Sequence, residues 1–119
     1  MGLAILAPLA CLVMGAVALV WPERFAAAVG LSARDPLGRS ELRAVFGGVF
    51  IGIAAACLLT ASSGAYVAAG GAFLGGALAK VGSAAFERGV FPAVLPGLAV
   101  DIVLGLVFLL AARALAGTG

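Results

Sequence analysis

AYVAAGGAFLGGALAKVGSAAF (residues 65–86) and VLPGLAVDIVLGLVFLLAARAL (residues 94–115) decide how this chain folds. A helix rises about 1.5 Å per residue, so about 20 apolar residues cross a bilayer core. Both runs meet that length, yet each carries an ionisable residue well inside it: Lys80 in the first and Asp101 in the second. A charge held in a bilayer costs several kcal/mol even on the lower scales, so such residues face the bundle interior and take a partner. The connection between the runs, Glu87 to Ala93, contains Gly89 and Pro92 and turns the chain back on itself. With the two helices antiparallel, Lys80 and Asp101 both fall about 8–10 Å from that connection. Their faces match as well, because residues four apart share a helix face. Asp101 is flanked by Gly97 and Gly105, and Lys80 by Gly76 and Ala84. These small residues let a neighbouring helix approach, and a Lys80–Asp101 ion pair is expected.

Two more apolar runs precede these. Residues 2–20 form the first, ended by Trp21-Pro22-Glu23-Arg24, which supplies an interfacial aromatic, a helix stop and charges. Residues 42–60 form the second, with Ser40 as its expected N-cap. The turn Ala61-Ser62-Ser63-Gly64 is tight and makes the second and third helices antiparallel neighbours. Within the long first connection, Pro22 suits a first helical turn. Residues 22–30 then form a short interfacial helix that Gly30 stops. The tail from Gly117 to Gly119 is expected to fray. The fold class is therefore all-α: a four-helix transmembrane bundle with short loops, occupying residues 1–119 as a single integral membrane domain.

Composition agrees. The 119 residues are 65% hydrophobic and 10% charged, with a mean hydropathy of +1.28, whereas soluble domains carry about 25% charged residues. The net charge of +2 is small and scattered, which excludes a nucleic-acid partner. The absence of histidine removes histidine-ligated haem, most zinc and copper sites and histidine acid–base chemistry. No metal site, cofactor or catalytic set is read in the chain, and no phosphate loop follows a strand. Cys11 and Cys57 both lie in apolar runs, at different depths, and read as small buried hydrophobes without a disulfide. Residues 1–20 carry no Lys or Arg, so the positive region of a secretory signal is missing and the first run reads as a retained helix.

Arg24, Arg34, Arg39 and Arg43 flank or fill the first connection and Arg88 sits in the third, while Arg113 falls at the opposite side. The bias of basic residues toward the inside places the first and third connections in the cytoplasm and both termini outside.

The helices are rich in glycine. Gly47, Gly48 and Gly52 lie in the second, Gly71, Gly75 and Gly76 in the third, and Gly97 and Gly105 in the fourth. Gly48-xxx-Gly52 and Gly71-xxx-Gly75 are small-xxx-small patterns that allow close backbone approach in lipid. All eight are expected to serve helix packing, either within the chain or between copies. Glu41 and Arg43 stand at the mouth of the second helix. Glu41 shares a face with Gly48 and Gly52 and is expected to look into the bundle, toward Lys80 or Arg88. Arg43 shares a face with Gly47 and can reach a carboxylate or a lipid phosphate. Glu41, Arg43, Lys80 and Asp101 sum to zero charge, as a buried polar network should. Such a network either fixes helix register or lines a pocket.

The stretch Ser40-Glu41-Leu42-Arg43-Ala44-Val45-Phe46-Gly47-Gly48 resembles a family of small bacterial integral membrane proteins catalogued as a domain of unknown function. Its recurring pattern is Glu-x-Arg-(Ala/Gly)-x-(Tyr/Phe)-Gly-Gly at the opening of the second of four helices. Pro22-Glu23-Arg24-Phe25 and Gly30-Leu31 are similar to its first connection. A base late in the third helix and an acid early in the fourth also recur there, usually as Arg and Glu, where this chain has Lys80 and Asp101. The resemblance implies a four-helix protein of a bacterial inner membrane and treats the quartet as one unit; it implies no activity.

Three functions fit these readings. The first is a structural or accessory component that interacts with other integral membrane proteins or with a larger membrane complex, in contact with membrane lipids. The second is a homo-oligomeric transporter of a small solute or protons, using Asp101, Lys80 and Glu41. The third is a lipid- or metabolite-binding membrane protein. An enzyme is the reading with the least behind it.

Overall fold

The computed structural model describes residues 2–32 and 34–118; Met1, Ala33 and Gly119, the last residue of the tail expected to fray, lie outside the described residues. Five helices and no strand are present among the described residues: α1 (Gly2–Val20), α2 (Pro22–Ala28), α3 (Pro36–Thr60), α4 (Ser63–Phe86) and α5 (Leu95–Thr118). Four of them, α1, α3, α4 and α5, are long and apolar enough to cross a membrane, which gives the chain the marks of a multi-pass membrane protein.

The boundaries differ from expectation in three places. α3 begins at Pro36, not Leu42, because Asp35 is the cap: its carboxylate accepts the Gly38 N–H at 2.7 Å, and Pro36 follows at the first helical position. Ser40 lies inside the helix. α4 begins at Ser63, with the Ser62 hydroxyl accepting the Ala65 N–H at 3.4 Å. α5 continues to Thr118, so the helix carries through Gly117 where fraying was expected. α2 ends as the sequence indicates. Gly30 turns left-handed (φ 80°), while the Leu31 N–H donates to Ala26 and the Gly30 N–H to Ala27. That pairing satisfies the last carbonyls of the helix.

α3 also carries a widened π-helical segment, Arg43–Val49. Such segments are rare and recur at functional sites.

α1 packs between α3 and α5, and α5 packs most extensively on α4. Two glycine pairs set the closest approaches. A Cβ on Gly15 would lie 3.0 Å from the Gly47 carbonyl oxygen, and one on Gly70 3.0 Å from that of Gly105. Gly47 and Gly105 therefore pack as expected, and Gly15 and Gly70 join them. Gly48, Gly52, Gly71 and Gly75 do not pack: Gly48 has only the Arg43 carbonyl of its own helix at 3.9 Å, and the other three have nothing within 4 Å. The small-xxx-small spacing gives a face but not its direction, and those faces point outward.

α3 and α4 are neighbours mainly near their tight turn; farther from it they diverge. Aromatic rings span the space between them. Phe25, Phe46, Phe50, Phe73, Phe108 and Tyr66 form one continuous series, with successive ring centroids 5.1, 5.7, 5.2, 5.9 and 5.9 Å apart. Cys11 and Cys57 are buried and unbonded in the same core. Pro8 interrupts α1 and has no N–H for the Ala4 carbonyl, four residues earlier. The buried Tyr66 hydroxyl of α4 donates to that carbonyl at 2.6 Å, which keeps a backbone acceptor from being stranded in an apolar medium.

Candidate functional site

Lys80 lies six residues before the end of α4 and Asp101 six after the start of α5, each about 9 Å from its helix terminus. Their side chains meet: Lys80 Nζ is 2.6 Å from Asp101 Oδ2. The two glycines one turn earlier make room for them. A Cβ on Gly97 would lie 3.0 Å from Lys80 Nζ, and one on Gly76 3.3 Å from Asp101 Oδ2. The pair is unequally covered, with the Lys80 side chain 34% exposed and that of Asp101 13%.

The expected quartet is a pair. Glu41 is exposed, and its side chain has no hydrogen bond or ion pair among the described residues. It does share its face with Gly48 and Gly52, but that face looks away from the bundle. Arg43 is also exposed and donates through Nε to the Leu19 carbonyl at 3.2 Å. A cation at the C-terminal turn of α1 meets the negative end of the helix and occupies a carbonyl without an intrahelical partner. Arg43 and Gly47 thus serve the α1–α3 contact, and neither Glu41 nor Arg43 reaches Lys80 or Asp101.

The pair forms part of the wall of a cavity of about 490 Å³. Phe46 and Phe50 of α3 border one side, and Ala79, Lys80 and Ser83 of α4 the other. Gly97, Val100 and Asp101 of α5, Val94 just before that helix and Met14 of α1 line its depth. Phe25, Val29 and Leu31 cover it from the first connection, and Glu87, Val90 and Ala93 from the third. The two connections touch, since a Cβ on Gly30 would lie 2.7 Å from the Ala93 carbonyl oxygen. Most of the wall is apolar, and the polar side chains are Lys80, Ser83, Glu87 and Asp101. The cavity occupies the space between the diverging α3 and α4, and no sequence signal announced it. The π-helical segment contributes to it, because Phe46 lies in that segment and Phe50 directly follows it.

The family model for a domain of unknown function, DUF4345, matches residues 2–112. The chain belongs to the DUF4345 family. The match spans α1 to α4 and most of α5, so every cavity-lining residue and both members of the ion pair fall within the family domain. No curated protein and no solved structure matches the chain. Within this DUF4345 domain, the stretch from Glu41 to Gly48 has three separate placements. Arg43 and Gly47 bind α3 to α1, Phe46 walls the cavity, and Glu41 and Gly48 are exposed.

Proposed function

We propose that this protein is a membrane-embedded binding protein that takes an amphiphilic molecule into the cleft between α3 and α4. The cavity carries this reading. Ligand sites run from about 300 to 1,000 Å³, with mostly apolar walls and a few placed polar groups. A cavity of about 490 Å³ with apolar walls and one ion pair has that form. Packing alone does not call for Lys80 and Asp101, since well-packed apolar residues of similar volume are often as stable or more so. The role is binding without chemistry, in keeping with a chain that has no histidine. The setting is the inner membrane of a bacterial cell, with the first and third connections facing the cytoplasm, as the basic residues around them favour.

A second role, as an accessory component of a larger membrane complex, is supported by a different observation. Gly48, Gly52, Gly71 and Gly75 lie exposed on the outer faces of α3 and α4, where another helix can approach closely.

Purification from native membranes in mild detergent, followed by mass spectrometry of the intact complex, tests both. One small amphiphile retained per chain, and lost in Ala79→Trp, supports the cleft reading. Co-purified larger subunits with no retained small molecule favour the accessory role and overturn it.

A further inference from the structure

We infer that the molecule taken into this cleft is an uncharged amphiphile whose polar end carries a carbonyl oxygen, received by Lys80 and Ser83. The inference rests on the binding reading above and adds the chemical class of the ligand.

A lysine ammonium has three N–H donors and no acceptor. One donor of Lys80 meets Asp101 Oδ2 at 2.6 Å, and no other described residue accepts from it. Two donors therefore remain on a side chain that lines the cavity. Ser83 stands three residues on, on the same face of α4, and lines the same space. Lys80, half-buried, and Ser83, exposed at the rim, present donors beside Asp101 at one end of a mostly apolar cleft. What they receive is an acceptor oxygen.

Charge selects among acceptors. The Lys80–Asp101 pair sums to zero, and among the described residues the only other charged member of the wall is Glu87, so the wall they form is not positive. An anionic head would compete with Asp101 for Lys80 and leave one negative charge uncompensated in a poorly solvated place. A cationic head would have to displace Lys80 from Asp101, which is 13% exposed and seated against Gly76. Glu87 is exposed, where water and salt screen it. An uncharged carbonyl takes the spare donors and leaves the pair intact. Hydrogen bonds to a charged group are the stronger kind, enough for about a tenfold effect on affinity or more.

Carbonyl oxygens at the end of an apolar body occur in glycerides, as esters, and in isoprenoid quinones, as ring ketones. The test presents both beside charged controls. The full chain in phosphatidylcholine nanodiscs is titrated with dodecanoylglycerol, decylubiquinone, dodecanoate and dodecylammonium, with occupancy read by native mass spectrometry. The expected result is binding of one or both uncharged probes at least about tenfold tighter than either charged probe. Whichever uncharged probe binds better names the source. The double variant Lys80→Leu/Asp101→Leu, which strands no charge, should bind the uncharged probes about tenfold more weakly, because the ammonium donors are gone. Equal or tighter binding of dodecanoate or dodecylammonium overturns the inference, and so does unchanged affinity for the uncharged probes in the double variant. The probe comparison on the parent protein needs no variant to fold. A different failure, no saturable binding of any probe and no effect of Ala79→Trp, overturns the binding reading itself.

Discussion

Lys80 and Asp101 each stand one turn after a glycine, and each charged head lies over the other helix's glycine. Gly97 of α5 makes room for the ammonium and Gly76 of α4 for the carboxylate, so two Gly-xxx-charge segments interlock across an antiparallel pair. The same reach that closes the ion pair at 2.6 Å leaves spare ammonium donors at the edge of an apolar cleft. Stability and binding therefore draw on the same two side chains.

Breaking this pair from one side should hurt more than removing it. Lys80→Met leaves a mostly covered carboxylate alone, and Asp101→Leu leaves the ammonium alone. Each single change is expected to cost about 1–3 kcal/mol, below the buried-pair range because Lys80 is partly exposed. The double change should recover most of that loss. Thermal unfolding of the four proteins in detergent reads the cycle, and single variants as stable as the parent contradict the pairing.

Adjacent glycines should respond in opposite ways to alanine. Gly70→Ala pushes a methyl to within 3.0 Å of the Gly105 carbonyl oxygen and 2.8 Å of Leu109, an overpacking that costs about 1–3 kcal/mol. Gly71→Ala enters open space and should stabilise the helix by up to about 1 kcal/mol. Chemical denaturation of both variants decides it. Equal losses would mean that the outer face of α4 is covered by a partner.

Tyr66 and Pro8 form a testable couple. Tyr66→Phe strands the Ala4 carbonyl and is expected to cost about 0.5–1.5 kcal/mol. In a Pro8→Ala background the restored N–H of residue 8 takes that carbonyl, and Tyr66→Phe should become nearly silent. A double-mutant cycle on unfolding free energy measures the coupling; additive effects would separate the two residues.

Ala61 closes α3 in a left-handed conformation, φ 47°, which costs a residue with a Cβ about 1 kcal/mol. Ala61→Gly should raise the unfolding midpoint slightly, and a lowered midpoint would show that the turn tolerates alanine without strain.

The ion pair was legible in the sequence because two ionisable residues in apolar runs have few places to go, and helix rise alone matched their depths. The termination of α2 was legible in Gly30. The start of α3 was misread because Ser40 and Asp35 are both good caps, and only the second is followed by a proline at the first helical position. The direction of the glycine faces was not legible at all. Lipid-facing and core-facing residues are equally apolar here, so Gly47 and Gly48, or Gly70 and Gly71, differ in no sequence property that tells inside from outside. Glu41 followed Gly48 and Gly52 to the wrong side for that reason. The cleft between α3 and α4 depends on the divergence of two helices and on the π-helical segment, neither of which has a hydrophobic period.

Photocrosslinking in native membranes tests the central claim most directly. A benzophenone side chain at position 94 looks into the cavity, and one at position 110 replaces a leucine that is 53% exposed on the outer surface. The predicted result is one recurring small-molecule adduct at position 94, with the bulk phospholipid mixture captured at position 110. The same phospholipid mixture at both positions, in the same proportions, would contradict a cleft that selects what it holds.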